Sequence, residues 1–166
     1  PEKMAGILPE FFDKILVDAP CSGEGMFRKN EAACEEWNPE NVSLCAERQD
    51  GILDCAASML APGGRIVYST CTFAPAENEG SMTRFLLRHP EFRIVEVKKA
   101  DGMSAGVPEW AYFREKMGQV LPEIVQTIRL WPQHLNGEGH YLAVLEKEGT
   151  LRQGYCRNGE EKGIPA

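Results

Sequence analysis

No stretch of this 166-residue sequence approaches the ~20 consecutive apolar residues that a membrane-spanning helix needs. Its opening also lacks the charged-then-apolar pattern of a secretory leader, so a cytoplasmic protein is the expectation. The six cysteines never fall into a paired Cys-x-x-Cys spacing, which argues against zinc and leaves no metal site to expect. Basic residues are in deficit, 18 Lys and Arg against 25 Asp and Glu for a formal charge of −7. That balance argues mildly against a nucleic-acid partner, because phosphate contacts need Lys and Arg, although a local patch is enough. One further absence concerns architecture. A nucleotide-binding sheet opens with a strand running into a glycine-rich turn and a helix, and nothing ahead of Lys14 has that form.

What is present is a strand-like apolar run, Ile15 to Val17, that breaks at once into Asp18-Ala19-Pro20-Cys21-Ser22-Gly23-Glu24-Gly25. The run reads as a strand buried on both faces. The layout repeats downstream, where Arg65 to Tyr68 leads into Ser69-Thr70-Cys71-Thr72-Phe73. Strands joined through a helix are usually parallel neighbours, roughly 4.8 Å apart. Both tips then face one crevice beyond the carboxyl ends of the strands, where open α/β sheets hold ligands, and the thiols of Cys21 and Cys71 face it with them.

Along the chain, residues 1–12 read as a loop or short helix and Asn30 to Trp37 as a short helix. Asn38-Pro39-Glu40 is a helix start, with Asn as cap and Pro at the first position. That helix runs through Leu44, Arg48, Ile52, Leu53, Ala56, Met59 and Leu60 until Pro62-Gly63-Gly64 stops it. Cys45 and Cys55 lie on it as buried small hydrophobes; Cys34 and Cys156 lie in polar surroundings. Acid-rich Pro75 to Glu79 opens a helix that turns Met82, Phe85 and Leu86 inward and ends at Arg88-His89-Pro90. Cys71 thus sits just before a helix N-terminus, whose positive end favours a thiolate. Phe92 to Val97 reads as a third strand, Ala100 to Pro122 as a long loop with one short helix, and Ile124–Leu130 with Tyr141–Leu145 as a terminal antiparallel pair. His134 and His140 read as surface or turn residues, and Trp110 and Trp131 as packing rather than base-stacking residues. The expected fold is α/β, the later strands of a Rossmann-like sheet plus a terminal hairpin, with the first half missing. Residues 1–147 form that part of a domain, and 148–166 are a polar tail, a linker or the truncated start of a further domain.

At the two cysteine loops the sequence resembles the RNA cytosine-5 methyltransferases of the bacterial RsmB/RsmF and nucleolar Sun type, over roughly Phe12 to Lys147. Asp18 to Gly25, and Ser69 to Phe73 with Glu77-Asn78-Glu79, match that family's two most telling motifs. Arg48-Gln49, Pro62-Gly63-Gly64, Arg129-Leu130-Trp131-Pro132 and Gly137-Glu138-Gly139-His140 match weaker ones. The resemblance implies a fold of the S-adenosylmethionine-dependent methyltransferase class and methyl transfer to carbon 5 of a cytosine in RNA, 16S rRNA for preference. It implies Cys71 as nucleophile and Cys21 as the residue assisting product release. Asp18 lies between S-adenosylmethionine and the base, and Pro20 joins it on the cofactor side. The family's main cofactor-binding loop would precede Pro1. Arg28, Lys29 and Arg48 are candidates to hold RNA phosphate, and a monomer is expected.

The residue types suit that chemistry. Carbon 5 of cytosine is too electron-poor to attack a methyl sulfonium unaided, and a thiolate adding to carbon 6 makes it enamine-like. A free cysteine of pKa ~8.5 is only about 3% thiolate at pH 7, so the nucleophile needs activation. Competing readings remain open: a DNA cytosine-5 methyltransferase using the Pro-Cys cysteine, a catalytically incomplete fragment or RNA-binding remnant, and a thiol–disulfide role for the pair.

Overall fold

A computed structural model describes residues 1–115 and 120–151. After a one-turn helix α1 (Glu2–Ala5), strand β1 (Phe12–Asp18) leads through a 3-10 turn at Glu24–Met26 to helices α2 (Glu31–Glu36) and α3 (Pro39–Met59). Strand β2 (Leu60–Thr70), helix α4 (Glu79–Arg88), strands β3 (Phe92–Ile94) and β4 (Met103–Ala105), helix α5 (Pro108–Glu115), a 3-10 turn at Pro122–Gln126 and strands β5 (Ile128–Leu130) and β6 (His140–Lys147) follow. The helix starts are set by local chemistry: Asn30 Oδ1 accepts from Ala32 N, and Asn38 Oδ1 accepts from Asn41 N at 2.8 Å.

The sheet runs β1-β2-β6-β5-β4, with β3 pairing β6 beyond the end of β5. Strands β1 and β2 are parallel, with Asp18 opposite Ser69, so their cysteine-bearing ends leave the sheet side by side. All the other pairings are antiparallel. The alternation of β2 and β6 turns Ile66, Tyr68, Tyr141, Ala143 and Leu145 to one face, where Leu53 and Ala56 of α3 and Met82 and Phe85 of α4 meet them. Each fully buried Leu, Ile or Phe there is worth about 1.5–3 kcal/mol. Among the described residues the opposite face is left largely open: Lys14, Leu16, Arg65, Val67, Val95 and Val144 line a hollow of about 690 Å³ there.

Several expectations need correcting. β1 is not buried on both faces, since Leu16 is 71% exposed and no described residue covers it. α3 ends at Met59, and Pro62-Gly63-Gly64 lies inside β2. Leu44 points to solvent, while Gln49 takes a buried place on α3; Cys45 and Cys55 are half-buried rather than core. The third strand stops at Ile94, a short β4 occupies part of the expected loop, and Ile124 sits in a 3-10 turn. The terminal pair is antiparallel as expected, but β6 is central, taking β2 on one side and β5 and β3 on the other. Residues 148–151 continue to Gly63, where a Cβ would fall 2.6 Å from Leu151 N. The rest of the 148–166 segment, Cys156 included, lies outside the described residues.

Candidate active site

The parallel register of β1 and β2 brings the two cysteine loops together. Cys21 and Cys71 are free thiols whose sulfurs lie 3.2 Å apart, and the Cys71 backbone N–H points at Cys21 Sγ at 3.3 Å. The loops are stitched by backbone as well: Gly25 N donates to Cys71 O at 2.9 Å, and Ala19 N to Ser69 O. Gly25 must be glycine for this approach, because a Cβ there would meet Gly139 O at 2.3 Å and Cys71 O at 2.7 Å. Cys21 opens onto a hollow of about 310 Å³ walled also by Met26, Trp37 and Cys45; Cys71 lies half-buried at its side.

Two sulfurs this close cannot both ionise, so their protons are divided unequally. The Cys21 S–H donates to Cys71 and holds it down at about 7, against a burial that works the other way. The same bond, with burial, raises Cys21 well above the ordinary thiol range. Cys71 is thus the thiolate of the pair and Cys21 the thiol. The helix-end explanation of Cys71 activation is corrected here: α4 begins only at Glu79, and a turn from Pro75 to Asn78 intervenes. The activating group is the neighbouring thiol.

A buried polar frame holds both loops. Glu77, with no exposed surface, accepts from Ser22 N at 3.1 Å, from Gln49 Nε2 at 2.8 Å and from the Ser22 hydroxyl. Gln49 Nε2 also donates to Pro20 O at 2.9 Å, so α3 and the turn before α4 clamp the Pro-Cys loop between them. Burial pushes the Glu77 carboxyl up to about 7, opposed by these hydrogen bonds. Thr72 donates to Glu24, closing the loops from the other side. Asn78 accepts from Thr70 Oγ1 at 2.7 Å and donates to Thr72 O at 2.9 Å. Behind it Arg129 pairs with Glu79 at 2.5 Å, both buried, and donates to Phe73 O. Glu77, Gln49, Ser22, Thr72 and Glu24 all lie in motifs matched from sequence, yet none was given a role there. Glu77 reads locally as an acid in a helix's first turn; its place in the motif that follows the strand-tip cysteine was the available signal.

The remaining sequence candidates are spread around this centre. Asp18 is exposed at the tip of β1, where one carboxylate oxygen accepts from Ser69 Oγ at 2.8 Å. Pro20, two residues on, is exposed as well. Lys29 is engaged by Glu138. Arg28 and Arg48 are exposed, Arg48 one turn of α3 beyond Cys45. His134 is exposed and His140 half-buried. Among the described residues no cluster of three or more His, Cys, Asp or Glu is placed to hold a metal, and no helix is long and apolar enough to cross a membrane.

The family model described as 16S rRNA methyltransferase RsmB/F matches residues 1–146. The chain belongs to this methyltransferase family. It is 38% identical, over 87% of its length, to ribosomal RNA small subunit methyltransferase F of Cronobacter sakazakii. It is 37% identical over 82% of its length to the tRNA (cytosine(49)-C(5))-methyltransferase of Pyrococcus abyssi. Among solved structures, NSun6 from Pyrococcus horikoshii with SFG superposes with a TM-score of 0.60 at 27% identity, over 83% of this chain and 30% of that one. A methyltransferase homologue from the same organism superposes with a TM-score of 0.69 at 26% identity, over 87% and 41%. This RsmB/F-family chain spans 27% of the length of the Cronobacter relative and 42% of the Pyrococcus abyssi one.

Proposed function

We propose that the protein methylates carbon 5 of a cytosine in RNA, ribosomal RNA by preference, with Cys71 as nucleophile and Cys21 as the residue that frees the product. The single observation carrying this reading is the 3.2 Å contact between the two sulfurs at adjacent parallel strand tips. The Cys71 thiolate adds to carbon 6, and the electron pair released into the ring makes carbon 5 nucleophilic. Asp18, whose carboxylate accepts hydrogen bonds, takes one from the exocyclic amine and so orients the ring. S-adenosylmethionine, when bound, supplies an electrophilic methyl group, and Asp18 and Pro20 are the residues of this chain that would line it.

Discharge of the adduct then requires the carbon-5 proton to leave and the carbon 6–sulfur bond to break. With Cys71 bound to carbon 6, Cys21 no longer faces a thiolate and releases its proton to solvent. The Cys21 thiolate then takes the carbon-5 proton, the electrons of that bond restore the carbon 5–carbon 6 double bond, and the carbon 6–sulfur pair leaves with Cys71. The hydrogen bond that favours the Cys71 thiolate before attack stabilises the same thiolate as it departs. A base in a stack must first be extruded to reach the sulfurs, and Arg28, Lys29 and Arg48 would hold the flanking phosphates. Residues 1–147 are on this reading the later part of a catalytic domain, and 148–166 a tail, a linker or the start of another domain; a cytoplasmic monomer accords with it. The test is transfer of labelled methyl from S-adenosylmethionine to ribosomal RNA by the whole protein. Nuclease digestion should yield 5-methylcytidine, and label in any other nucleoside, or none, would overturn the reading.

A further inference from the structure

Three hollows lie in series from Cys21 outward, each sharing an aromatic wall with the next. Trp37 closes the hollow beside Cys21 and also lines a second, of about 470 Å³, floored by Pro39, Val42 and Ala74. Phe73 and Pro75 line that second hollow and a third of about 290 Å³, whose far walls are Trp110 and Trp131. Trp37 is 39% exposed and held in place by its indole N–H, which donates to Glu24 Oε1 at 2.9 Å. Phe73 stacks on Trp131 with centroids 5.0 Å apart and planes 16° from parallel. Arg129 stands over Trp110 at 4.7 Å and Trp131 at 5.1 Å, and Phe73 packs so closely on Gly139 that a Cβ there would collide with its ring. A buried ion pair and a stacked pair thus rigidify rings that are left partly open to solvent, which plain core packing does not require.

We infer that these hollows are subsites for unpaired nucleotides flanking the target cytosine, with bases seated against Trp37 and Trp110 on either side of the Phe73–Trp131 ridge. The assignment rests on the RNA-methylation reading and extends it to a single-stranded substrate. RNA is the occupant because the track is continuous with the two-sulfur site, and because apolar rings with flat faces accept any base without reading its edge. The carboxylate within it, Glu24, accepts from Thr72 and from Trp37, and the phosphates are placed outward, on the side of solvent.

The experiment titrates the whole protein with a short unstructured oligoribonucleotide containing the target cytosine, following tryptophan fluorescence. A matched set of oligonucleotides carries an abasic residue at successive flanking positions. Removing a stacked base should weaken binding to the wild type by about 5- to 150-fold. Trp37→Ala should bind the intact and the abasic oligonucleotide alike, and Trp37→Phe should restore the difference. Equal binding of intact and abasic RNA by the wild type overturns the inference, as does an undiminished abasic effect in folded Trp37→Ala. If Trp37→Ala does not fold, the wild-type abasic series alone decides. Covalent capture of 5-fluorocytidine RNA on Cys71, measured in parallel, keeps the two readings apart. Capture with no abasic effect sinks the stacking track alone, whereas no capture and no RNA binding sinks both.

Discussion

Replacing Cys21 with alanine removes the S–H that lies 3.2 Å from the Cys71 sulfur. That bond is the largest influence holding Cys71 at about 7, so without it the thiol should return toward its ordinary 9.0. At pH 7 the thiolate fraction would fall from about one half to about 1%, a loss of about 50-fold. The thiolate that remains is more basic and so more nucleophilic; a Brønsted slope of about 0.4–0.5 over two units returns a factor of about 6–10. Alkylation of Cys71 at pH 7 should therefore slow by about 5- to 8-fold, while the midpoint of its pH profile rises by about two units. Iodoacetamide labelling across a pH series, with peptide mass spectrometry reporting Cys71 alone, measures both. A midpoint that stays near neutrality in Cys21→Ala would refute the reasoning, for the thiolate would then owe its stability to another group.

Glu77→Gln tests the buried frame through pH. Because burial raises the folded-state carboxyl to about 7 from 4.5, its proton stabilises the fold fully below about 4.5, and that contribution is lost as pH rises through about 7. Between about pH 5 and about pH 8 the wild type should lose about 2.5 kcal/mol relative to Glu77→Gln, whatever their absolute stabilities; parallel denaturant-unfolding curves at the two pH values would contradict this. Gly25→Ala forces a Cβ against Gly139 O and Cys71 O, which should cost about 1–3 kcal/mol and slow Cys71 alkylation; a thermally neutral, fully reactive variant would show the close approach to be dispensable. Arg129→Met strands the Glu79 carboxylate in the interior, at about 3–5 kcal/mol. Adding Glu79→Gln should recover much of that loss in chemical denaturation, and a single-variant loss below about 1 kcal/mol would argue against a buried pair.

The juxtaposition of Cys21 and Cys71 was legible in the sequence because it depends on little: two apolar runs, a helix between them, and the parallel pairing that such a connection imposes. The start of α3 was legible for a local reason too, an Asn cap followed by Pro. What escaped was non-local. The central place of β6 is fixed by its pairing with β2 across the 69 residues that separate the two strands, and no periodicity within Tyr141 to Leu145 encodes a neighbour. Leu16 looked like core because apolar runs do not say how many sheet faces are covered. Glu77 was hidden for a different reason. An acid near a helix start has a ready local explanation, and only the fold back onto Ser22 and Gln49 gives it another.

The central claim, that the two sulfurs divide attack from release, is tested most directly by following covalent protein–RNA complex on denaturing gels with unmodified substrate RNA and S-adenosylmethionine present. Cys71→Ala should form no complex, and Cys21→Ala should accumulate it, linked through Cys71 and carrying a methylated cytosine. A complex linked through Cys21 in the Cys71→Ala protein, or free turnover by Cys21→Ala without accumulation, would contradict the account.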